Sequence, residues 1–161
     1  MPYNDSMQKI ALCGYAGVGK STYVRKNFPD YVEIALADPI KRALYAMGAT
    51  KESLWGPSER RNDVFLTRTV REWLNLLGTE LVRTRSPDHW VNLCLDEIDG
   101  FGTFDFPGVI VPDVRWPNEA RILTEAGFTL LRLTRPDHKR RVFGETEEQD
   151  LSPWISETVI L

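Results

Sequence analysis

The sequence predicts an α/β fold, a five-stranded parallel sheet flanked by helices, on three observations. Five short apolar runs read as strands: Ile10 to Cys13, Val32 to Ala37, Val109 to Val111, Phe128 to Leu133 and Thr158 to Leu161. Helical patterns lie between most of them, and such alternation requires crossover connections and therefore parallel strands with helices on both faces. The first run leads straight into a glycine-rich turn, GYAGVGKST, at the carboxyl end of a strand, where sheets of this type gather their ligands.

That turn is the most informative element. After the strand come three glycines and a lysine, and then Ser21 to Phe28 can form a helix with Val24 and Phe28 on one face. Gly14, Gly19, Lys20 and Ser21 satisfy the spacing G-x-x-x-x-G-K-[ST], the P-loop. Glycines permit backbone angles closed to other residues, so successive N–H groups can converge on phosphate oxygens at the start of a helix. Gly14, Ala16, Gly17, Val18, Gly19, Lys20, Ser21 and Thr22 are thus the expected contacts of a nucleoside triphosphate. Lys20 would neutralise its terminal phosphates and Ser21 would offer a hydroxyl to magnesium. A flexible turn with a surface lysine is the competing reading. The motif is silent on what is done with the nucleotide.

Size narrows the choice. At 161 residues and 18.5 kDa the chain suits one domain, too small for a helicase or a transporter motor. Apolar residues at 42% and charged residues at 27% are those of a globular protein, and five Trp can help fill a core. A net charge of −3 gives no general attraction to nucleic acid or to an anionic membrane, so the expected partners are small molecules, with a homodimer left open. Cys13 and Cys94 lack metal-ligand spacing and sit where apolar residues belong, as buried thiols. With no membrane-length apolar run and no signal-peptide profile in MPYNDSMQK, the expected location is the cytoplasm.

Along the chain, Asp38 closes the second strand in VEIALADPIKRAL and Asp113 closes the third in GVIVPDVRWPNEA. Carboxylates there could hold magnesium through its water shell or orient an acceptor oxygen; Asp113 has the apolar lead-in of a metal-binding strand. Asp38, before Pro39, has an equal claim as a helix cap. Residues 50 to 62, TKESLWGPSERRN, are polar and broken by Gly56 and Pro57, and read as a mobile connection. Residues 67 to 83 show helical spacing, with Val70, Leu74, Leu77 and Leu81 on an apolar face and Arg68, Arg71, Asn75, Thr79 and Arg83 on another. Gly78 inside that helix suggests a close backbone approach or a local break. An aromatic and glycine-rich loop fills residues 99 to 107.

Arg115, Asn118 and Glu119 follow Asp113, and the Arg115 guanidinium could clamp a second phosphate. The basic run from Arg135 to Arg141 sits where a phosphotransfer enzyme can carry a lid, and its cations could neutralise transition-state charge. Glu145, Glu147, Glu148 and Asp150 follow at once and disfavour a polynucleotide there. His89 and His138 show no zinc spacing.

Several of these pieces resemble one family, the bacteriophage deoxynucleoside monophosphate kinases. The resemblance rests on GYAGVGKST, ADPIKRAL, the LNLLGTELVR stretch followed by PDHWV, DVRWPNEA, and RLTRP, in that order from residue 10 to about 136. It implies a nucleoside monophosphate kinase-like fold in one domain, with an acceptor-binding helical insert at about 50–98 and a lid at about 135–147. The implied reaction moves the γ-phosphate of ATP to a deoxynucleoside monophosphate, with Mg²⁺ as cofactor held at Ser21 and Asp113. The implied acceptor contacts are Asp38, Lys41, Arg71, Glu80, Arg83, Trp90, Arg115, Asn118 and Glu119. Lys20, Asp38, Arg115 and Arg135 would serve the transfer itself, and the flat face of Trp90 would stack on the base or wall its pocket. A P-loop kinase for another small acceptor, resembling dephospho-coenzyme A kinase, and a non-catalytic ATP-binding module are the alternatives.

Overall fold

The computed structural model describes residues 7–101, 106–136 and 149–161. In chain order the first elements are β1 (Gln8–Cys13), α1 (Lys20–Asn27), β2 (Val32–Glu33), α2 (Asp38–Ala46) and α3 (Lys51–Trp55). A 3₁₀ turn (Ser58–Asn62) precedes the short strands β3 (Val64–Phe65) and β4 (Arg68–Thr69). Helix α4 (Val70–Asn75) continues as a π-helix (Leu76–Arg83), followed by α5 (His89–Asp99). The last elements are β5 (Gly108–Val111), α6 (Pro117–Glu125), β6 (Thr129–Thr134), a 3₁₀ turn (Ser152–Trp154) and β7 (Ile155–Ile160). Two compact units emerge: Met1–Ala35 with Leu93–Leu161, and Leu36–Asn92.

The first unit carries a five-stranded sheet in the order β2-β5-β1-β6-β7, and every pairing in it is parallel. The expected α/β architecture is therefore observed. β1 is central because its residues are wholly apolar where it meets both neighbours: Ile10 pairs with Ile110 on one side and Thr129 on the other. Ile10, Leu12, Val18, Val24, Ile110, Leu131 and Leu133 form the core of this unit, with Tyr23, Phe28, Tyr31 and Val159 packed around them. Burying a side chain such as Leu12, fully enclosed here, stabilises by about 1.5–3 kcal/mol. Both cysteines are buried, as expected for apolar positions.

Strand boundaries differ from expectation in one informative place. The run expected to be a strand from Val32 to Ala37 pairs with β5 only at Val32 and Glu33. The amide of Ile34 still donates to Ile110 O at 2.9 Å, after which the chain turns into α2. Ile34, Ala35 and Leu36 stay buried, so the apolar run marks burial and not ladder length. The last strand starts earlier than expected, at Ile155, with a register shift opposite Leu130 and Leu131.

The second unit is built on Ile40, Leu44, Ala49, Leu54 and Val70, with Phe65, Trp73, Leu74, Leu77 and Trp90 packed against them. Residues 50 to 62, expected to be a mobile connection, are ordered as α3 and a 3₁₀ turn. Thr50 caps α3, its side-chain oxygen accepting from the Ser53 amide at 3.2 Å, and Leu54 is fully buried. A cap and one inserted leucine are enough to fix a five-residue helix that polar composition conceals.

The stretch expected to be one amphipathic helix over 67–83 divides into three. Arg68 and Thr69 pair with Phe65 and Val64 as β4 and β3, Thr69 then caps α4, and the helix widens into π geometry at Leu76. Val70 is buried and Leu74 and Leu77 pack on the core as expected, but Leu81 is 55% exposed. A π-helix bonds i to i+5, so a position four residues on falls out of the α phase, and Leu81 leaves the apolar stripe that α-helical spacing assigned to it. Among the described residues no helix is long and apolar enough to cross a membrane.

Candidate functional site

The loop between β1 and α1 takes the conformation its glycines allow. Gly14, Gly17 and Gly19 have φ of 141°, 79° and 110°, all three in the region closed to most side chains. Gly14 also lies so close to β6 that a Cβ would meet Leu133 O at 2.5 Å. The chain therefore needs glycine there for both conformation and space. Helix α1 opens with Gly19 as its N-cap and has no acidic residue in its first turn, so the positive end of its dipole is not offset from within the turn. Lys20 curls back over the loop, donating from Nζ to Gly14 O at 2.6 Å and Tyr15 O at 3.2 Å. Ser21 and Thr22 are exposed on the first turn, while Val18 is 1% exposed and anchors the loop in the core.

Neighbouring strand ends bring further charge to this edge of the sheet. Asp113 lies just past the end of β5, and the next amide, Val114 N, donates to Leu12 O at 3.1 Å, which fixes this turn against the end of β1. Glu119, only 6% exposed, holds the same turn: its Oε2 accepts from the amides of Arg115 at 3.0 Å and Trp116 at 3.1 Å. Arg115 itself is exposed, and Asn118 lies in the first turn of α6. Just beyond β6, the Arg135 guanidinium reaches the loop: a Cβ built on Gly19 would stand 3.2 Å from Arg135 Nη2. Lys20, Asp113 and Arg135 thus follow the ends of three adjacent strands, β1, β5 and β6.

Beside the loop lies a cavity of about 500 Å³ lined by Gly14, Tyr15, Arg132, Leu133, Thr134, Gln149 and Asp150. The acid among them is held firmly. The Ser152 hydroxyl, at 2.6 Å, and amide, at 3.0 Å, both donate to Asp150 Oδ1, and with the nearby Arg132 charge they hold this carboxyl below its ordinary range. Of the segment expected to be a lid, Arg135 and Pro136 are the described part. The remainder, with His138, Lys139, Arg140, Arg141, Glu145, Glu147 and Glu148, lies outside the described residues, as do residues 102–105 of the aromatic loop.

In the second unit, Asp38 is not the cap of α2. Ala37 occupies that position without a side-chain bond, and Asp38 is the first helical residue, followed by Pro39. Its carboxylate faces a lysine and an indole: Asp38 Oδ1 lies 3.6 Å from Lys41 Nζ and accepts from Trp55 Nε1 at 3.3 Å. Arg71 is directed towards the 3₁₀ turn, donating to Ser58 O at 3.0 Å and Asn62 Oδ1 at 3.3 Å. Glu80 and Arg83 ride on the π-helix, with Arg83 Nη1 donating to Pro87 O at 3.2 Å.

Gly78 explains itself within that helix. A Cβ there would stand 3.0 Å from Ile40 Cδ1, and its carbonyl accepts from Trp90 Nε1 at 2.9 Å. The local break expected of this glycine occurs, as the π segment, whereas what approaches it closely is the Ile40 side chain and not another backbone. Trp90 packs against the core with its N–H given to the π segment, and exposed His89 meets its ring at 4.7 Å. The contact between Trp55 and Asp38 has no counterpart in the sequence motifs; its one signal there is a tryptophan in a mostly polar segment.

The Ser21 hydroxyl and the Asp113 carboxylate are hard-oxygen groups of the kind that could hold magnesium, an ion that keeps several waters. Among the described residues no group of three or more His, Cys, Asp and Glu converges as a metal-binding cluster.

No family model matches the chain. Over 150 residues it is 28% identical to a protein described as "Putative deoxynucleotide monophosphate kinase" from Acanthamoeba polyphaga mimivirus, the match covering 81% of this chain and 75% of that protein. That relative comes from a giant virus and not from a bacteriophage. The chain is thus an α/β protein with a P-loop, distantly similar to a protein bearing a deoxynucleotide kinase name.

Proposed function

We propose that this protein is a deoxynucleoside monophosphate kinase that transfers the γ-phosphate of ATP to a deoxynucleoside monophosphate, giving ADP and the deoxynucleoside diphosphate. The observation that carries the reading is the loop itself: three positive-φ glycines, a lysine lying across them and a helix start without acidic residues, with Arg135 beside Gly19. That combination of amides and cations is built for the polyphosphate of a nucleotide. The similarity to the mimivirus protein supports the choice of acceptor class.

In this reading Gly14, Ala16, Gly17, Val18, Gly19, Lys20, Ser21 and Thr22 hold ATP. Magnesium at Ser21 and Asp113 supplies neutralisation of the phosphate charge. An oxygen of the acceptor's own phosphate attacks the γ-phosphorus while the bond to the β,γ-bridging oxygen breaks and ADP departs. The attacking oxygen is already anionic, so no strong general base is required, and positioning with charge neutralisation supplies most of the acceleration. Lys20, Arg115 and Arg135 neutralise the migrating phosphoryl group. Asp38, Lys41, Arg71, Glu80, Arg83, Trp90, Asn118 and Glu119 bind or shape the acceptor side, with Trp90 walling the pocket through its hold on the π-helix.

A coupled ADP-release assay across dAMP, dGMP, dTMP, dCMP and hydroxymethyl-dCMP tests the proposal. Turnover with at least one of them, falling at least about 100-fold in Lys20→Ala, is expected. ATP binding without transfer to any acceptor would instead favour a nucleotide-binding module, and transfer to dephospho-coenzyme A or another small acceptor, but to none of the monophosphates, would favour the dephospho-coenzyme A kinase-like alternative.

A further inference from the structure

The second unit holds three tryptophans, and they are used differently. Trp73 and Trp90 pack against the core and give their N–H groups to backbone carbonyls, of Phe65 at 2.9 Å and Gly78 at 2.9 Å. Both are consumed by the fold. Trp55 is 42% exposed, and its N–H goes to a side-chain carboxylate, Asp38 Oδ1, at 3.3 Å. Tyr45 meets it edge-on, with ring centroids 6.0 Å apart and planes at 70°, and Lys51 sits over the Tyr45 ring at 5.8 Å.

A bond through the indole N–H lies in the ring plane, so it fixes one in-plane direction of the ring without covering either face. The edge-on tyrosine restrains the ring further. What results is a flat, pre-oriented aromatic surface, partly open to solvent, directly beside the Asp38 and Lys41 pair. Covering that exposed indole surface is favourable, and a pre-ordered ring loses little entropy when it stacks.

We propose that Trp55, buttressed by Tyr45, is the surface on which the base of the acceptor nucleotide stacks. The inference rests on the kinase reading above and extends it by assigning base recognition to a residue outside the motifs. Every base has a π-face, so this surface contributes affinity for bases in general, and choice among them falls to the polar groups around it.

The test measures dNMP affinity and KM in Trp55→Ala and Trp55→Phe, together with binding of deoxyribose 5-phosphate, which has the sugar and phosphate but no base. Trp55→Ala should raise the KM for the dNMP roughly tenfold, the scale of one lost base–aromatic stack, and leave the KM for ATP within about twofold. Trp55→Phe, flat but without the N–H, should recover to within about threefold of the wild type. Binding of deoxyribose 5-phosphate should be the same in wild type and Trp55→Ala. A general loss of folding would weaken it too, so equal loss for both ligands would overturn the inference, as would wild-type KM in Trp55→Ala. If the wild type binds ATP but phosphorylates no dNMP, the kinase reading fails and this assignment fails with it; normal turnover with an indifferent Trp55 sinks the assignment alone.

Discussion

Trp90 donates its indole N–H to the carbonyl of Gly78 at 2.9 Å, and so ties the first turn of α5 to the π-helical segment that bears Glu80 and Arg83. A π-helix is a rare form, found mostly as single turns within α-helices. Trp90→Phe keeps most of the packing and removes this bond, so it should destabilise by about 1 kcal/mol in a urea titration. The kinase reading adds that its KM for the dNMP should rise while its KM for ATP stays put. A variant indistinguishable from wild type in both would show that the π segment needs no such tether.

Gly19 combines φ of 110° with an arginine close to the place its Cβ would occupy. Gly19→Ala therefore strains the backbone by about 1–3 kcal/mol and displaces the Arg135 guanidinium. The expected outcome is loss of ATP binding, read by isothermal titration, with the sheet still folded by circular dichroism. Alanine at Gly127, where φ is 88° but open space surrounds the site, makes the control: strain without loss of nucleotide.

These two glycines also mark how far the sequence can be read. The loop from Gly14 to Ser21 is legible because its chemistry depends on local spacing, and the parallel sheet because Leu12, Ile110 and Leu131 lie in continuous apolar runs between helical patterns. Leu81 is misplaced by periodicity, which assumes a constant helix pitch that the π segment breaks. The β3–β4 hairpin escapes notice: its strands are two residues each, and its turn uses Leu66 at φ 55° in place of the usual Asn or Gly. Trp55 is invisible as a site residue because its significance lies in a contact with Asp38, 17 positions away, which no local pattern encodes.

Acid should weaken α4 in a specific window. Thr69 donates to Glu72 Oε2 from its amide at 2.7 Å and its hydroxyl at 2.8 Å, and the amide bond first, then the hydroxyl, holds this carboxyl below its ordinary value of 4.5. A depressed folded-state pKa means that the contribution is fully present above the unfolded-state value and is lost as pH falls through the folded one. Thermal unfolding of wild type and Glu72→Gln should differ most above about pH 4.5 and converge on acidification. A gap that widened in acid would reverse the assignment.

Glu119 separates a structural role from a binding role at one residue. The motif resemblance places it against the acceptor, yet its buried Oε2 accepts from the amides of Arg115 and Trp116 and so sets the turn from which Arg115 projects. Glu119→Ala leaves two amides without that acceptor and should cost about 2–3 kcal/mol, with kcat falling because Arg115 loses its footing. Glu119→Gln keeps a carbonyl oxygen that can accept both bonds, so it should recover most of the stability and most of kcat. Direct contact with the acceptor through the carboxylate charge predicts the opposite pattern, a Glu119→Gln variant of wild-type stability whose KM for the dNMP is raised as much as that of the alanine variant. Chemical denaturation and steady-state kinetics on the two variants decide between them.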